Sequence, residues 1–177
     1  AGAEGNLFED GTGRVYKVGR GKRSLRHEAG ALEVLSKHGL APKFHRFDAE
    51  HNVIVREKAS GASGVWAQAQ RLPEVYDRVV AVLEEAGFTR PEFKEDSFVS
   101  EPGKPPLMVD VGFVGFRGER LLEDLRGRNL EAATEWSDAF SAQVDIGDAY
   151  EDGVLTLSEG RAMMRRIGNE GQREHGL

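Results

Sequence analysis

Two charged side chains occupy positions where the surrounding sequence is apolar, and together they suggest chemistry on an anion. In the segment RVYKV, Lys17 shares one strand face with Val15, because alternate residues of a strand point to the same side. Glu28 follows Leu25 by three residues and precedes Leu32 by four, so it lies on the apolar stripe of a helix. A buried carboxylate is costly unless a cation meets it. We therefore expect an ion pair between Lys17 and Glu28 that presents the lysine to a phosphate group. The alternative is that both side chains extend separately to solvent.

Three further carboxylates stand beside predicted strands in the second half of the chain. In LMVDVG, Asp110 ends an apolar strand and is followed closely by Gly112, whose lack of a side chain lets the backbone turn. An acidic residue directly after buried apolar residues favours a functional role over the alternative, a plain strand-end turn. Upstream, Asp96 directly precedes the strand SFV, and Glu92 lies about one turn earlier. These three acidic residues are candidate functional residues.

The elements that must position these residues follow from apolar periodicity and turn residues. Segments NLF, RVYKV and NVIVREK are typical of strands, and the Asp-Gly pair in FEDGTGRVY predicts a hairpin between the first two. A helix is predicted over 24–38, capped by Ser24 and ended by Gly39. A second helix is predicted in LPEVYDRVVAVLEEAG, and DSFVSEPGKPPLMVDVGFVGF predicts a strand, a turn and a strand. From about Glu119 the chain is predicted to be mostly helical, in ERLLEDLRGRN, LEAATEWSDAFSAQ and LSEGRAMMRRIG.

The order of these elements predicts an α+β fold with two lobes. A small antiparallel β N-terminal lobe with one helix would span 1–60, and a shortened, mainly helical C-terminal lobe would span 61–177. The segment KASGASG, from Lys58 to Gly64, consists largely of small residues and is the predicted flexible boundary between the lobes.

Composition excludes several classes of protein. The 177 residues carry a formal net charge of −6 and include no cysteine, which excludes disulfides, thiolate metal sites and cysteine nucleophiles. The acidic balance argues against a nucleic-acid partner. One basic cluster is interpreted either as a solvated turn or as a local anion site, and it consists of Arg20, Lys22, Arg23 and Arg26.

The sequence also bears on where the protein acts. No apolar run is long enough to cross a bilayer, so no membrane span is expected. The first ten residues lack the basic start and the apolar middle of a signal peptide. We therefore expect a protein of the cytoplasm, either of the cell that makes it or of a host or target cell that receives it.

The sequence contains, in this order, a glycine-bearing hairpin, a strand lysine, a helix glutamate and a hinge. In this order of elements it resembles the protein-kinase-like superfamily over about residues 2–116. The resemblance implies that Lys17 contacts nucleotide phosphates and that Glu28 anchors it. The segment GAEGNLFEDGTG, with Gly2 and Gly5, would be the phosphate-covering hairpin. It departs from G-x-G-x-x-G and is more similar to the reduced glycine loops of RIO-like and KEOPS-complex kinases. The segment NVIVREKASG resembles the last strand and hinge of the N-terminal lobe, which implies an adenine-facing backbone at Arg56, Glu57 and Lys58.

The catalytic half of the resemblance lies in FKEDSFVSEPGKPPLMVDVGFV. It implies that Asp110 binds the Mg²⁺ or Mn²⁺ that bridges the phosphates of ATP. The chain has no H-R-D-x-x-x-x-N motif, so the group that accepts the proton of the substrate hydroxyl is open. Asp96 is preferred, because some minimal bacterial effector or toxin kinases place an aspartate directly before this strand. If Asp96 instead binds the metal, Glu92 would be the base.

The resemblance therefore implies a two-lobed, reduced protein-kinase-like fold and a minimal Ser/Thr protein kinase that acts as an effector or toxin domain on a protein substrate. Two alternatives stay open. A pseudokinase would keep the fold and bind nucleotide without catalysis, which the missing motif favours. A small-molecule kinase is suggested by SLRHEAGALEVLSKHGLAPKF, which resembles the first helix and following loop of the aminoglycoside and sugar kinases.

A separate pattern near the C-terminus, DAYEDGVLTLSE over 148–159, has the spacing of a calcium-binding EF-hand loop. The matching residues stand at loop positions 1, 5, 6, 8, 9 and 12, and they are Asp148, Asp152, Gly153, Leu155, Thr156 and Glu159. Tyr150 stands at the third position, where an oxygen ligand is expected. The preferred interpretation is a glycine turn that leads into a final helix capped by Ser158, with Ca²⁺ binding as the alternative.

Overall fold

The structure, a computed structural model, describes residues 5–20, 24–63, 72–89, 91, 93–111 and 114–168. Within these ranges the chain has an α+β fold with antiparallel sheets and five α-helices, which confirms the predicted fold class at that level. The chain divides into two compact units, Ala1–Val114 and Gly115–Leu177. The predicted lobes, 1–60 and 61–177, meet inside the first unit, and that boundary stays a prediction. No helix in the described ranges combines the length and apolar character needed to cross a bilayer.

The first unit contains a four-stranded antiparallel sheet in the strand order β1-β2-β4-β3. Its strands are β1 (Gly5–Glu9), β2 (Arg14–Gly19), β3 (Phe44–Asp48) and β4 (Val53–Glu57). Strand β3 is missing from the sequence-based prediction. Its sequence FHRFD carries three polar side chains and gives no apolar run.

The predicted hairpin between β1 and β2 is present, and one carboxylate holds its turn. Asp10 Oδ1 accepts hydrogen bonds from the backbone N–H of Thr12 (2.9 Å) and of Arg14 (3.2 Å), and Oδ2 accepts one from the Tyr16 hydroxyl (2.9 Å). The Thr12 hydroxyl and these bonds lower the pKa of Asp10 to about 2. Gly13, at φ +86°, supplies the left-handed residue that brings the chain into β2.

The first helix, α1 (Arg26–Lys37), buries the predicted stripe of Ala29, Leu32 and Leu35, together with Glu28. Gly39 ends it as predicted. With Gly39 at φ +70°, the backbone N–H of Leu40 returns to the Leu35 carbonyl at 2.9 Å and completes a C-terminal cap.

The start of α1 corrects the prediction by one residue. The N-cap residue is Leu25 and not Ser24. The side-chain oxygen of Asn52, in the turn between β3 and β4, accepts the Leu25 N–H at 2.8 Å and fixes the chain there. The Ser24 hydroxyl still accepts the N–H of Arg26 at 3.2 Å, so it supports the first turn from one position earlier.

The segment predicted to be a flexible boundary is partly a strand. Residues Ala62–Ser63 form β5, which pairs with β7 (Phe98–Ser100). Gly61 lies at φ +115°, and a Cβ atom there would collide with the Ser100 carbonyl, so the chain makes a close backbone approach that only glycine permits. The flexible boundary stays a prediction, and within it 61–63 lie in a paired segment.

The rest of the first unit carries the second predicted helix and the predicted strand–turn–strand. The helix, α2 (Leu72–Glu85), is followed by β6 (Phe88–Thr89). Strand β7 pairs in antiparallel fashion with β8 (Leu107–Met108), which gives a three-stranded sheet in the order β5-β7-β8.

The described part of the second unit contains β9 (Gly115–Phe116), α3 (Gly118–Gly127), α4 (Trp136–Glu151) and α5 (Leu157–Arg166). The predicted helix in LEAATEWSDAFSAQ is corrected, because 130–132 form a short 3-10 turn and α4 begins only at Trp136. Arg128 ties α3 to α4. Its Nη2 donates to Asp145 Oδ2 at 2.8 Å and to Asp124, and both carboxylates are buried.

The EF-hand-like segment is a helix, a tight turn and a helix. Helix α4 runs through Asp148 to Glu151, and Gly153, at φ +74°, makes the turn. The predicted cap is corrected from Ser158 to Thr156, whose hydroxyl accepts the Glu159 N–H while the Glu159 side chain accepts the Thr156 N–H. Glu159 is thus used in a capping box, and Ca²⁺ binding at 148–159 stays an alternative without structural support.

Candidate active site

The ammonium group of Lys17 is held between two carboxylates that come from distant parts of the first unit. Its Nζ donates to Glu28 Oε1 at 2.7 Å and Oε2 at 2.9 Å, and to Asp110 Oδ1 at 2.8 Å. Lys17 and Glu28 are 7% and 5% exposed, whereas the Asp110 side chain is 45% exposed. The predicted contact between Lys17 and Glu28 is therefore present, and the alternative of two separate solvent-directed side chains is wrong.

The sheet places Lys17 by register and by a close glycine contact. Lys17 pairs with Ile54 of β4, and Val15 and Lys17 are the buried residues of β2. A Cβ atom on Gly5 would lie 3.2 Å from Lys17 Cγ and 2.7 Å from the Val18 carbonyl oxygen. Gly5 therefore packs directly against the stem of Lys17. Gly2, the other glycine predicted to cover the phosphates, lies outside the described residues.

Helix α1 is linked to the segment that follows Asp110 as well as to Lys17. His27, next to Glu28, has its Nδ1 atom 3.0 Å from the carbonyl oxygen of Val114. Glu28, which contacts Lys17, is thus adjacent to His27, which contacts the chain four residues after Asp110. Gly112, which was predicted to let the chain turn here, lies outside the described residues.

The hairpin of β7 and β8 brings the two candidate aspartates to the same end. Asp96 lies in a 3-10 turn, Glu95–Ser97, and is exposed. The carbonyl oxygen of Ser97 accepts hydrogen bonds from the backbone N–H of Val109 (2.8 Å) and of Asp110 (3.4 Å). Because Phe98 pairs with Met108, Asp96 and Asp110 precede and follow the same antiparallel pair. Glu92, the alternative base, lies outside the described residues.

One ammonium group donates to two carboxyl groups, and burial together with the charges of the cluster shifts the pKa values of all three groups. Burial, with the nearby charge of Asp110, raises the pKa of Glu28 to about 8, although Lys17 acts in the opposite direction. Burial disfavours the ammonium of Lys17, but the two carboxylates outweigh it and raise the pKa of Lys17. Burial likewise works to raise the pKa of Asp110, yet Lys17 holds it below its ordinary value. Near neutral pH the cluster therefore contains a charged Lys17 and an ionised Asp110, whereas Glu28 takes up a proton more readily than an ordinary glutamate and is only partly charged.

Arg56 adds a second buried cation to this face of the sheet. It pairs with Val15 in the register of β2 and β4, so its side chain projects to the same side as that of Lys17. It is 7% exposed, and the charges of Glu28 and Asp110 act on it. The sequence pattern contained this signal, since Arg56 follows Ile54 by two residues, but the interpretation considered only the Arg56 backbone.

The backbone of the predicted hinge is already hydrogen-bonded. The N–H of Glu57 donates to the Lys43 carbonyl and the N–H of Lys58 donates to the Gly13 carbonyl, both at 2.8 Å. The Lys58 ammonium also donates to Glu9 Oε2 at 2.9 Å. An adenine ring would have to displace these bonds or use other backbone groups, and adenine recognition by 56–58 stays a prediction.

The acidic groups suit a metal that takes most of its ligands from a substrate. Among the described residues, no group of three or more His, Asp or Glu side chains is arranged to hold an ion by itself. Asp110 and Asp96 nevertheless stand at one end of the hairpin, and both are accessible. Mg²⁺ is commonly bound by one or two carboxylates together with phosphate oxygens and water. The residues present fit such an ion.

The basic cluster near α1 is only partly described. Arg20 Nε donates to Asn6 Oδ1 at 2.9 Å, and Arg26 is an exposed residue of the first helical turn. Lys22 and Arg23 lie outside the described residues. Both interpretations of the cluster therefore stay open.

No protein-family model matches this chain. A search of curated proteins likewise returns no match.

Proposed function

We propose that the protein is an ATP-dependent phosphotransferase of a reduced, two-lobed protein-kinase-like type that phosphorylates Ser or Thr hydroxyls of a protein substrate. The observation that carries the proposal is the position of Lys17, with its Nζ 2.7 Å from Glu28 and 2.8 Å from Asp110. A buried lysine anchored by a helix carboxylate, beside an accessible aspartate at a hairpin end, is an arrangement suited to the phosphates of a metal-bound nucleotide. The resemblance to minimal bacterial effector and toxin kinases makes a protein hydroxyl the substrate class that we favour.

Each residue has a separate task in this proposal. Glu28 holds the Lys17 ammonium in place, and the ammonium stabilises negative charge on the phosphates. Asp110 and, in the alternative assignment, Asp96 would hold Mg²⁺ or Mn²⁺, which when bound neutralises charge on the transferred phosphoryl group. Asp96, exposed at the open end of the hairpin, orients the substrate hydroxyl and accepts its proton. Positioning and charge stabilisation supply most of the rate enhancement.

The test is phosphate transfer from labelled ATP, with Mg²⁺ or Mn²⁺, to the protein itself or to a mixture of protein substrates. We expect transfer by the wild type and losses of at least about a hundredfold in Lys17→Met, Asp110→Asn and Asp96→Asn. Matched controls are Lys37→Met and Asp77→Asn, which change exposed residues of α1 and α2 and should leave transfer unchanged. Equal losses in the controls, or full activity in Lys17→Met, would contradict the proposal.

A second candidate is a pseudokinase that binds nucleotide without transferring phosphate. The direct ion pair between Lys17 and Asp110 favours it, because a metal ion must compete with the ammonium for the same carboxylate. A nucleotide-dependent increase in melting temperature without transfer to any acceptor, small aminoglycosides and sugars included, would select this candidate.

A further inference from the structure

Arg56 is a buried cation whose hydrogen-bonding capacity is mostly unused. A guanidinium group has five N–H donors and stays charged when buried. Within the described residues Arg56 takes part in no ion pair, and its hydrogen bond runs from Nη1 to the Glu57 carbonyl at 3.1 Å. Among the described residues, no protein group accepts a hydrogen bond from its Nε or Nη2 atom. A ligand beside Arg56 would use these donors.

The Arg56 side chain shares its surroundings with the candidate active site. It projects to the same side of the sheet as Lys17, one diagonal step away in the register of β2 and β4. Diagonal neighbours have Cβ atoms roughly 7 Å apart, a separation that long side chains can close around one ligand. Both carboxylates of the cluster, Glu28 and Asp110, act electrostatically on Arg56.

The charge balance of the site points to an anion beside Arg56. Without ligand, the two cations Lys17 and Arg56 face the ionised Asp110 and Glu28, whose raised pKa leaves it only partly charged at neutral pH. A metal ion on Asp110 would engage that carboxylate, and Lys17 already donates to both oxygens of Glu28. A buried guanidinium without a counter-charge is costly. A phosphate group supplies that charge, and its oxygens fit the fork of an arginine.

We propose that Arg56 binds a phosphate group of the nucleotide next to the one that Lys17 contacts, so that the site selects nucleoside di- and triphosphates. This inference deepens the proposed function and rests on it. It assigns the Arg56 side chain a direct contact with the ligand. It also separates the two buried cations of the sheet by task, since Lys17 alone is anchored by Glu28.

Calorimetric titrations in Mg²⁺ with ATP, ADP, AMP, adenosine and tripolyphosphate test the proposal. Arg56→Met keeps the length of the side chain and removes its charge, whereas Arg56→Lys keeps a charge without the fork. The matched control is Arg46→Met, because the Arg46 side chain is 60% exposed on β3. We expect Arg56→Met to weaken ATP, ADP and tripolyphosphate binding about tenfold or more, with adenosine binding unchanged. Arg56→Lys should recover part of the loss, and Arg46→Met should bind all five ligands like the wild type.

Equal losses for adenosine and ATP, or no loss for ADP and ATP, would overturn the inference. Circular dichroism establishes that each variant is folded. If Arg56→Met does not fold, the test is the ratio of ATP affinity to adenosine affinity in Arg56→Lys. A ratio equal to that of the wild type counts against the proposal.

The outcomes also separate this inference from the proposed function. Phosphate transfer by the wild type with polyphosphate binding that does not depend on Arg56 contradicts the inference alone. Arg56-dependent binding of ATP and tripolyphosphate without any transfer contradicts the proposed transferase alone. A wild type that binds none of the five ligands contradicts both.

Discussion

The Lys17 ammonium and the Asp110 carboxylate form a 2.8 Å ion pair although 93 positions separate them in the chain. The pair joins strand β2 to the end of the β7–β8 hairpin, on the side where Glu28 approaches from α1. The ion pair also competes with phosphate binding, because Lys17 cannot donate all its hydrogen bonds to carboxylates and still donate to a phosphate group.

Removing the charge of Asp110 should free Lys17 for a phosphate group while abolishing the response to metal. We expect Asp110→Asn to bind tripolyphosphate without metal about three- to tenfold more tightly than the wild type, because one charge-assisted hydrogen bond no longer competes. Addition of Mg²⁺ should strengthen wild-type binding and leave the variant unchanged. Calorimetry with and without Mg²⁺ measures both effects, and weaker metal-free binding by Asp110→Asn would count against the competition.

The raised pKa of Glu28 predicts a pH dependence of stability. Between its unfolded value of 4.5 and its folded value of about 8, the folded state holds a proton that the unfolded state has released. The free energy of unfolding therefore falls as the pH rises through this window, by up to about 1.4 kcal/mol per pH unit. The lowered pKa of Asp110 changes the pH dependence of stability only below pH 3.8, and the raised pKa of Lys17 changes it only above pH 10.5. Neither group therefore contributes to the pH dependence between pH 4.5 and 8.

Urea denaturation at pH 5, 6.5 and 8 measures this effect. Glu28→Gln has no group to titrate, so its stability should change less over the range than that of the wild type. Glu33→Gln, which alters a half-exposed glutamate side chain of the same helix, is the control and should follow the wild type. Parallel curves for the wild type and Glu28→Gln would show that Glu28 does not titrate in this window.

A methyl group on Gly5 should disturb Lys17. The added Cβ would lie 2.7 Å from the Val18 carbonyl oxygen and 3.2 Å from Lys17 Cγ, so the strand or the lysine must shift. We expect Gly5→Ala to lose about 1–3 kcal/mol of stability, as overpacked sites do, and to bind nucleotide more weakly. Gly11→Ala is the control, because a Cβ at that turn position meets nothing within 4 Å. A Gly5→Ala protein as stable and as tight-binding as Gly11→Ala would contradict the packing argument.

The ion pairs of Arg128 should matter for stability far more than an exposed pair of the same type. Arg128→Met removes the guanidinium group that contacts both of the buried carboxylates Asp124 and Asp145, and we expect a loss of about 3 kcal/mol. Arg166→Met removes an exposed pair with Glu131 and should cost much less stability than Arg128→Met, because solvent screens that pair. Chemical denaturation of both variants measures the difference. Similar losses of stability would mean that burial does not determine how much these ion pairs stabilise the protein.

The sequence was most informative where a side chain broke an apolar pattern. Helical and strand periodicity placed Glu28 and Lys17 toward one interior, and the cost of a buried charge then required the pair that is observed. The same argument applied to Arg56, which breaks the apolar strand VIV, but resemblance to a hinge directed attention to its backbone. Nothing local in the sequence indicated that Asp110 would reach Lys17, because that contact depends on tertiary structure.

Caps and linkers were less predictable because several residues were equally suited by type. Thr156 and Ser158 are both good caps, and only the register of Glu159 with Thr156 selects the first. The N-cap is Leu25 and not Ser24, because the Leu25 N–H donates to the side chain of Asn52, 27 positions further along the chain. The small residues of KASGASG indicated flexibility, whereas Gly61 uses its freedom for a close backbone contact with Ser100.

The pairing of Ala62 with Ser100 has a consequence for the path of the chain. The chain that leaves β4 is tethered within a few residues to the strand that begins just after Asp96. Four residues, 58–61, connect β4, which pairs with the strand of Lys17, to β5, which pairs with the strand that begins two residues after Asp96. The backbone path between the two candidate functional residues is therefore short.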